Sequence, residues 1–173
     1  MLADFDVSAA FLEGKNDFKN YCYLPSIISP NGISERNEVV GSVYGQKQAP
    51  MLWYKHNTGI IISLGFTRCP GCPNLYYKIV MSEGMRTYII IHVDDGLIAA
   101  TTKELIDDFQ AGYSKCIKKV TFSYPVQKYL GMDVHLEGNK VHLNQQLYIE
   151  ENLEANHVHK VQKIPMSPTI DLS

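Results

Sequence analysis

The stretch Thr87-Tyr88-Ile89-Ile90-Ile91-His92-Val93-Asp94-Asp95-Gly96-Leu97-Ile98-Ala99-Ala100 constrains this chain more than any other. Two almost wholly apolar runs flank a pair of adjacent carboxylates. Runs of this length, bounded by Asp and Gly, read as buried strands over Thr87 to Val93 and Gly96 to Ala100, with Asp94-Asp95 as the turn. Leu75 to Val80 precedes them across Ser82-Glu83-Gly84 and gives a second, consecutive hairpin. Turns this short join antiparallel neighbours, because a parallel connection needs a crossover of a dozen residues or more. A helix over 102–117 follows: Thr101-Thr102-Lys103-Glu104 matches a capping box, and Leu105, Ile106, Phe109, Tyr113 and Ile117 share one face, which should lie on the sheet.

The remaining pattern completes the layer. Leu2 to Val7 alternates apolar with polar and runs into Ser8 to Gly14, a helical turn closed by glycine. Residues 16–37 collect Asn, Pro, Ser and Gly and read as a long loop holding a short strand at Tyr21 to Leu24. Glu38 to Tyr44 reads as a strand, and Pro50 opens a helix that Gly65 stops. Lys128 to Leu136 and Lys140 to Asn144 form a further hairpin, and Gln145 to Asn156 a last helix. The expected fold is α+β, an antiparallel sheet with helices on one face, in a single domain over 1–156 with a loose tail at 157–173. A doubly wound parallel sheet is disfavoured.

Length and charge set the limits. A chain of 173 residues has room for one domain. Its 16 basic and 18 acidic side chains give a net charge of −2, which argues against gripping nucleic acid through bulk positive charge. No apolar run approaches the roughly 20 residues that span a bilayer, and the N-terminus lacks the pattern of a secretion signal, so the expected location is intracellular, cytoplasm or nucleus. The 4 cysteines are too scattered for a disulfide framework. Cys69-Pro70-Gly71-Cys72 has the spacing of half a zinc site that His157 and His159 would have to complete; the simpler reading is two small side chains in a turn.

Two carboxylates at the tip of an apolar hairpin cost desolvation and mutual repulsion unless the tip is solvated or a divalent cation neutralises it. An exposed Asp-Asp-Gly turn accounts for the residue types by itself. The second apolar strand changes the balance, because Asp6 and Asp4 lie on one of its faces. If 2–7 lies beside 88–93, Asp6 comes within a few ångströms of Asp94, close enough to hold two magnesium ions roughly 3.5–4 Å apart and support phosphoryl transfer.

Four ordered segments carry a resemblance: Asp6-Val7-Ser8-Ala9-Ala10-Phe11-Leu12-Glu13-Gly14, Val43-Tyr44-Gly45-Gln46-Lys47-Gln48-Ala49-Pro50-Met51-Leu52-Trp53, His92-Val93-Asp94-Asp95 and Tyr129-Leu130-Gly131. They resemble the motifs of copia-type retrotransposon reverse transcriptases. The resemblance implies a palm subdomain and RNA-directed DNA synthesis with two Mg2+ ions held by Asp6 and Asp94, Asp95 assisting. It implies Phe11 as a steric gate against the ribose 2′-hydroxyl, although a lone Phe is more often core. Gln48 and Lys47 would meet the incoming nucleotide, and His92, Tyr129 and Gly131 would face the primer. Partners by the same resemblance are an RNA or DNA template-primer, deoxynucleoside triphosphates and other parts of a retrotransposon polyprotein. The family's fingers lie upstream of the first acid and are expected to be missing here. Gln46, Met51, Cys72 and Tyr124 stand where the family has Leu, Arg, an acid and a nearby glycine, and His92 stands in place of Tyr. The alternative is therefore a non-catalytic transposon remnant that at most binds nucleic acid or a partner.

Overall fold

The computed structural model describes residues 1–158, and the chain divides into two compact units, Met1–Tyr129 and a second beginning at Leu130. The domain expected over 1–156 thus spans both units, and the tail beyond Val158 lies outside the described residues.

The first unit is built on strand β1 (Leu2–Val7), β2 (Tyr21–Tyr23), β3 (Arg36–Glu38), helix α1 (Ala49–Ser63), β4 (Thr67–Arg68), β5 (Leu75–Val80), β6 (Met85–His92), β7 (Asp95–Ala100), α2 (Lys103–Tyr113), β8 (Val120–Ser123) and β9 (Lys128–Tyr129). A six-stranded sheet has the order β4-β5-β6-β7-β1-β8, and every pairing given within it is antiparallel. The expected mixed architecture with an antiparallel sheet is what the chain adopts. β2 and β3 form a separate small ribbon.

Alternation along the strands divides the sheet into two faces. Ala3, Phe5, Val7, Tyr76, Ile89, Ile91, Ile98 and Ala100 point to one side and form a single core with Trp53, Ile60 and Ile61 of α1 and Ile106, Phe109 and Tyr113 of α2. Phe5 lies at its aromatic centre, with ring centroids 5.6 Å from Phe109, 5.0 Å from Tyr113 and 5.4 Å from Phe122. Burial of this apolar set holds the layers together, since each large side chain removed from water contributes roughly 1.5–3 kcal/mol. The opposite face carries Asp4, Asp6, Tyr88, Ile90, His92, Asp95 and Leu97, and Tyr88 and Ile90 remain more than a third exposed.

Several sequence expectations shift. The strand expected over 38–44 is confined to Arg36–Glu38, because Val40 and Val43 find no apolar cover and stay 76% and 40% exposed. The expected capping box does not form: Thr102 rather than Thr101 is the N-cap and makes no side-chain cap bond, while the Thr101 hydroxyl oxygen accepts the Arg86 N–H at 3.1 Å. α2 ends at Tyr113 rather than 117, although Ile117 is still buried in the turn that follows. β4 and β8 were not expected. Both are short, and β8 is defined by its neighbour β1 rather than by any pattern of its own.

The second unit opens on two left-handed residues, Leu130 (φ 49°) and Gly131 (φ 75°). β10 (Met132–Glu137) and β11 (Lys140–Asn144) then pair as an antiparallel hairpin, and α3 (Gln146–Ala155) follows with no buried residue. Among the described residues no helix is long and apolar enough to cross a membrane.

Candidate active site

The chain reverses between β6 and β7 one residue earlier than the sequence suggests. Val93 takes φ 57° and forms the turn with Asp94, so Asp95 is the first residue of β7 rather than part of the turn. A positive φ at the first central residue is what a two-residue primed hairpin turn needs, and here a β-branched residue supplies it. The correction matters because it fixes Asp95 in the ladder, directly across from His92 on one side and Asp6 on the other.

The neighbour of β1 is therefore β7 and not β6, contrary to the arrangement on which the sequence argument first placed Asp6 beside Asp94. The acids still converge. Asp6 faces Asp95 across the β1–β7 pair, and the Val7 N–H donates to the Asp94 carbonyl at 3.1 Å. Across the sheet one row reads His92, Asp95, Asp6, Thr121, and the row beside it reads Leu75, Ile90, Leu97, Asp4, Ser123. Asp6 is exposed, and Asp4, Asp94 and Asp95 are partly buried.

The electrostatics follow from that crowding. Burial holds the Asp95 carboxyl above its ordinary value, the carboxylates of Asp94 and Asp6 raise it further, and His92 opposes them. Asp4 is also raised, first by burial and secondarily by Asp95, against the lowering effect of its own backbone N–H. One of its oxygens, Oδ1, is buried without a hydrogen-bond partner. The Tyr129 hydroxyl is raised by burial and then by Asp95, which puts this ring near the acid row. A hollow of about 540 Å³ beside Asp4 is lined by Phe122, Ser123, Tyr124, Gln127 and Lys128 among others.

Crowded carboxylates with a single histidine as counter-charge are the donor chemistry that a hard dication satisfies. Among the described residues, however, no three His, Cys, Asp or Glu side chains stand in a group that could hold a metal ion. The same holds for the zinc reading: Cys69 and Cys72 are free thiols in the turn between β4 and β5, where the Cys72 N–H donates to the Cys69 carbonyl at 3.3 Å, and His159 lies outside the described residues.

The other expected residues divide. Phe11 sits in a short 3-10 turn, Ala10–Glu13, that directly continues β1; its ring packs partly against the core and stands 5.1 Å from Tyr44. The Ser42 hydroxyl donates to the Phe11 carbonyl and so fastens the loop before α1 to this turn. Lys47 and Gln48 are exposed at the N-terminus of α1, where the Gln48 carbonyl accepts the Leu52 N–H at 2.9 Å. Gly131 belongs to the second unit. Two further contacts hold this region and have no counterpart in the sequence pattern. Trp53 donates its indole N–H to the Val93 carbonyl at 2.6 Å, tying α1 to the hairpin tip. A Cβ built on Gly96 would fall 2.2 Å from the Phe5 ring, so only glycine fits beneath the acid pair. Neither contact has a local sequence signal, since each joins residues distant along the chain.

Comparison with known proteins decides the ancestry. The profile of the reverse transcriptase (RNA-dependent DNA polymerase) family matches residues 1–169. The chain belongs to that family. Among its relatives are a putative transposon Ty5-1 protein of Saccharomyces cerevisiae, 31% identical over 169 residues, which are 93% of this chain and 53% of that protein. The retrovirus-related Pol polyprotein from transposon TNT 1-94 of Nicotiana tabacum is 30% identical over 176 residues, 97% of this chain and 13% of the polyprotein. That from transposon RE1 of Arabidopsis thaliana is 25% identical over 99% of this chain and 12% of its own length. No solved structure matches. This reverse transcriptase sequence is of the copia type, and it spans about half the length of the Ty5-1 relative.

Proposed function

We propose that the first unit is the palm of a copia-type reverse transcriptase and that its acid row is the nucleotidyl-transfer centre. The observation that carries this is the convergence of Asp6, Asp95 and the Asp94 turn, three acids from two segments some ninety residues apart in sequence, in a chain that matches the family over residues 1–169. Asp6 and Asp94 are the proposed holders of two Mg2+ ions, with Asp95 completing the field. Bound there, the ions would supply the charge that activates a primer 3′-hydroxyl and neutralises a departing pyrophosphate.

The protein's own part is positioning. The ladder across β1 and β7 sets the backbone spacing of Asp6 and Asp95, and acids fixed on paired strands need little reorganisation during the reaction. Phe11 follows Asp6 on the same continuous segment, where its ring would lie beneath the sugar of a deoxynucleotide and clash with a 2′-hydroxyl. Gln48 and Lys47, exposed at the start of α1, reach toward base and phosphate. His92, across from Asp95, and Tyr129 are proposed to face the primer strand, with Gly131 in the turn that follows. The proposed substrates are an RNA or DNA template with its primer and deoxynucleoside triphosphates, used within a larger polyprotein.

The test is extension of a labelled primer on an RNA template in Mg2+ or Mn2+. Incorporation that Asp94→Asn reduces by at least about a hundredfold supports the reading, the order of loss expected when transition-state charge is left unbalanced. A second reading, a non-catalytic remnant that keeps the sheet, is favoured by the lack of a metal-holding group among the described side chains. Extension at background level in both ions, with folded protein, selects it.

A further inference from the structure

The tip of the acid hairpin is strained and is anchored at both of its residues. Val93 is held at φ 57°, a conformation that disfavours an L-residue with a branched side chain. Its carbonyl accepts the Trp53 indole N–H at 2.6 Å, and the next carbonyl, that of Asp94, accepts the Val7 N–H at 3.1 Å. The two donors are not equivalent. Val7 belongs to the same sheet, whereas Trp53 projects from α1 on the core side and is only 2% exposed, so its ring has no freedom to follow the turn if the turn moves.

We propose that Trp53 is a positioning residue for the acid centre: its N–H fixes the Val93 peptide and thereby the distance between Asp94 and Asp6. This rests on the reading of the acids as the reactive centre, but the contact itself can be tested without it. A ring that merely fills the core would be indifferent to the loss of one N–H, provided its apolar area is kept. A positioning ring would not. Without that donor the Val93 carbonyl loses its bond to α1, and only the two-residue turn closed by His92 and Asp95 is left to hold Val93 at positive φ. The indole is also the chain's single tryptophan, so the emission comes from one site, where the core meets the hairpin tip.

The experiment compares the full chain with Trp53→Phe, and with Ile61→Val as a control that trims the core from the same helix without touching the hairpin. In 15N spectra, Trp53→Phe is expected to shift and broaden the amides of Val93 to Gly96 and to speed their hydrogen exchange at least tenfold. It is expected to weaken Mn2+ binding, followed by the paramagnetic signal of free ion, by about tenfold. Ile61→Val should change neither. Wild-type Trp53 emission should be quenched by Mn2+, and Asp94→Asn should abolish the quenching. Amides and Mn2+ affinity in Trp53→Phe that match the wild type overturn the proposal. A wild type that binds no Mn2+ refutes the metal reading of the acids, while the amide comparison still decides the role of Trp53. Should Trp53→Phe fail to fold, exchange of the wild-type indole proton decides instead: protection comparable to the Ile91 amide supports the hydrogen bond, and exchange at the rate of free indole ends the argument.

Discussion

Gly96 and Gly59 show how one residue type acts oppositely at two places. The Phe5 ring occupies the space where a Gly96 side chain would lie, and that ring is wedged among Phe109, Tyr113 and Phe122. Gly96→Ala is expected to destabilise the fold by about 1–3 kcal/mol through overpacking. At Gly59, inside α1, a new Cβ meets nothing within 4 Å, and Gly59→Ala should stabilise by about 0.5–1 kcal/mol. Urea unfolding of the two variants should move the midpoint in opposite directions. The acid row gives a pH effect whose sign is fixed. Burial and neighbouring carboxylates raise Asp95 above 3.8 in the folded chain, so the folded form binds its proton more tightly than the unfolded one. That contribution is fully present below 3.8 and is lost as the pH climbs through the raised value. Asp95→Asn should therefore raise the melting temperature at pH 7 by about 1–2 °C, a small effect because solvent still screens this partly buried group, and leave it unchanged at pH 3. The sequence pattern suggests both acids as the turn, yet Asp95 is a strand residue, because Val93 takes the strained position that Asp or Gly would ordinarily fill.

The two core helices are joined by one buried polar contact. The Tyr113 hydroxyl of α2 donates to Asn57 Oδ1 of α1 at 2.7 Å, and both residues are buried. Burial pushes the Tyr113 hydroxyl far above its usual titration range, so it remains a donor at any working pH. Tyr113→Phe should cost about 1–3 kcal/mol by leaving the amide oxygen without a partner in the core. Tyr113→Phe combined with Asn57→Leu should recover part of that loss, because removing both polar groups removes the unmet demand; thermal melts of the wild type and the two variants measure it. Element positions were legible where a buried face imposed a period. β1, β5 and β11 occupy the residues expected, and α1 and α3 differ from expectation by one residue at each end. Edge elements were not legible. β4 and β8 exist because a neighbour offers hydrogen-bonding groups, whereas the segment of Val39, Val40 and Val43 meets residues 14–20 only through scattered backbone bonds and leaves Val40 and Val43 exposed, so no regular strand extends beyond Glu38.

For the molecule as a whole, like charges side by side on an open sheet face oppose folding, and under the proposed function a bound dication would offset that repulsion. Mg2+ at a hundredfold excess over its dissociation constant should stabilise the chain by about 2.7 kcal/mol, and Asp94→Asn should abolish most of that gain; melting curves with Mg2+ and with a chelator read it directly. Equal melting temperatures in both buffers would remove the ion from the account. The sequence alone determined the family, through four ordered motifs, and the antiparallel class, through turns too short for any crossover. It also determined that Asp4 and Asp6 share a face, because side chains alternate along any strand. Only the tertiary structure decided that β7 separates β1 from β6, that Asp95 rather than Asp94 is the direct partner of Asp6, and that a tryptophan from α1 holds the turn. The physical reason is that periodicity records which face of an element is buried, whereas strand order and cross-element hydrogen bonds are settled by which buried faces pack together with the fewest unmet polar groups.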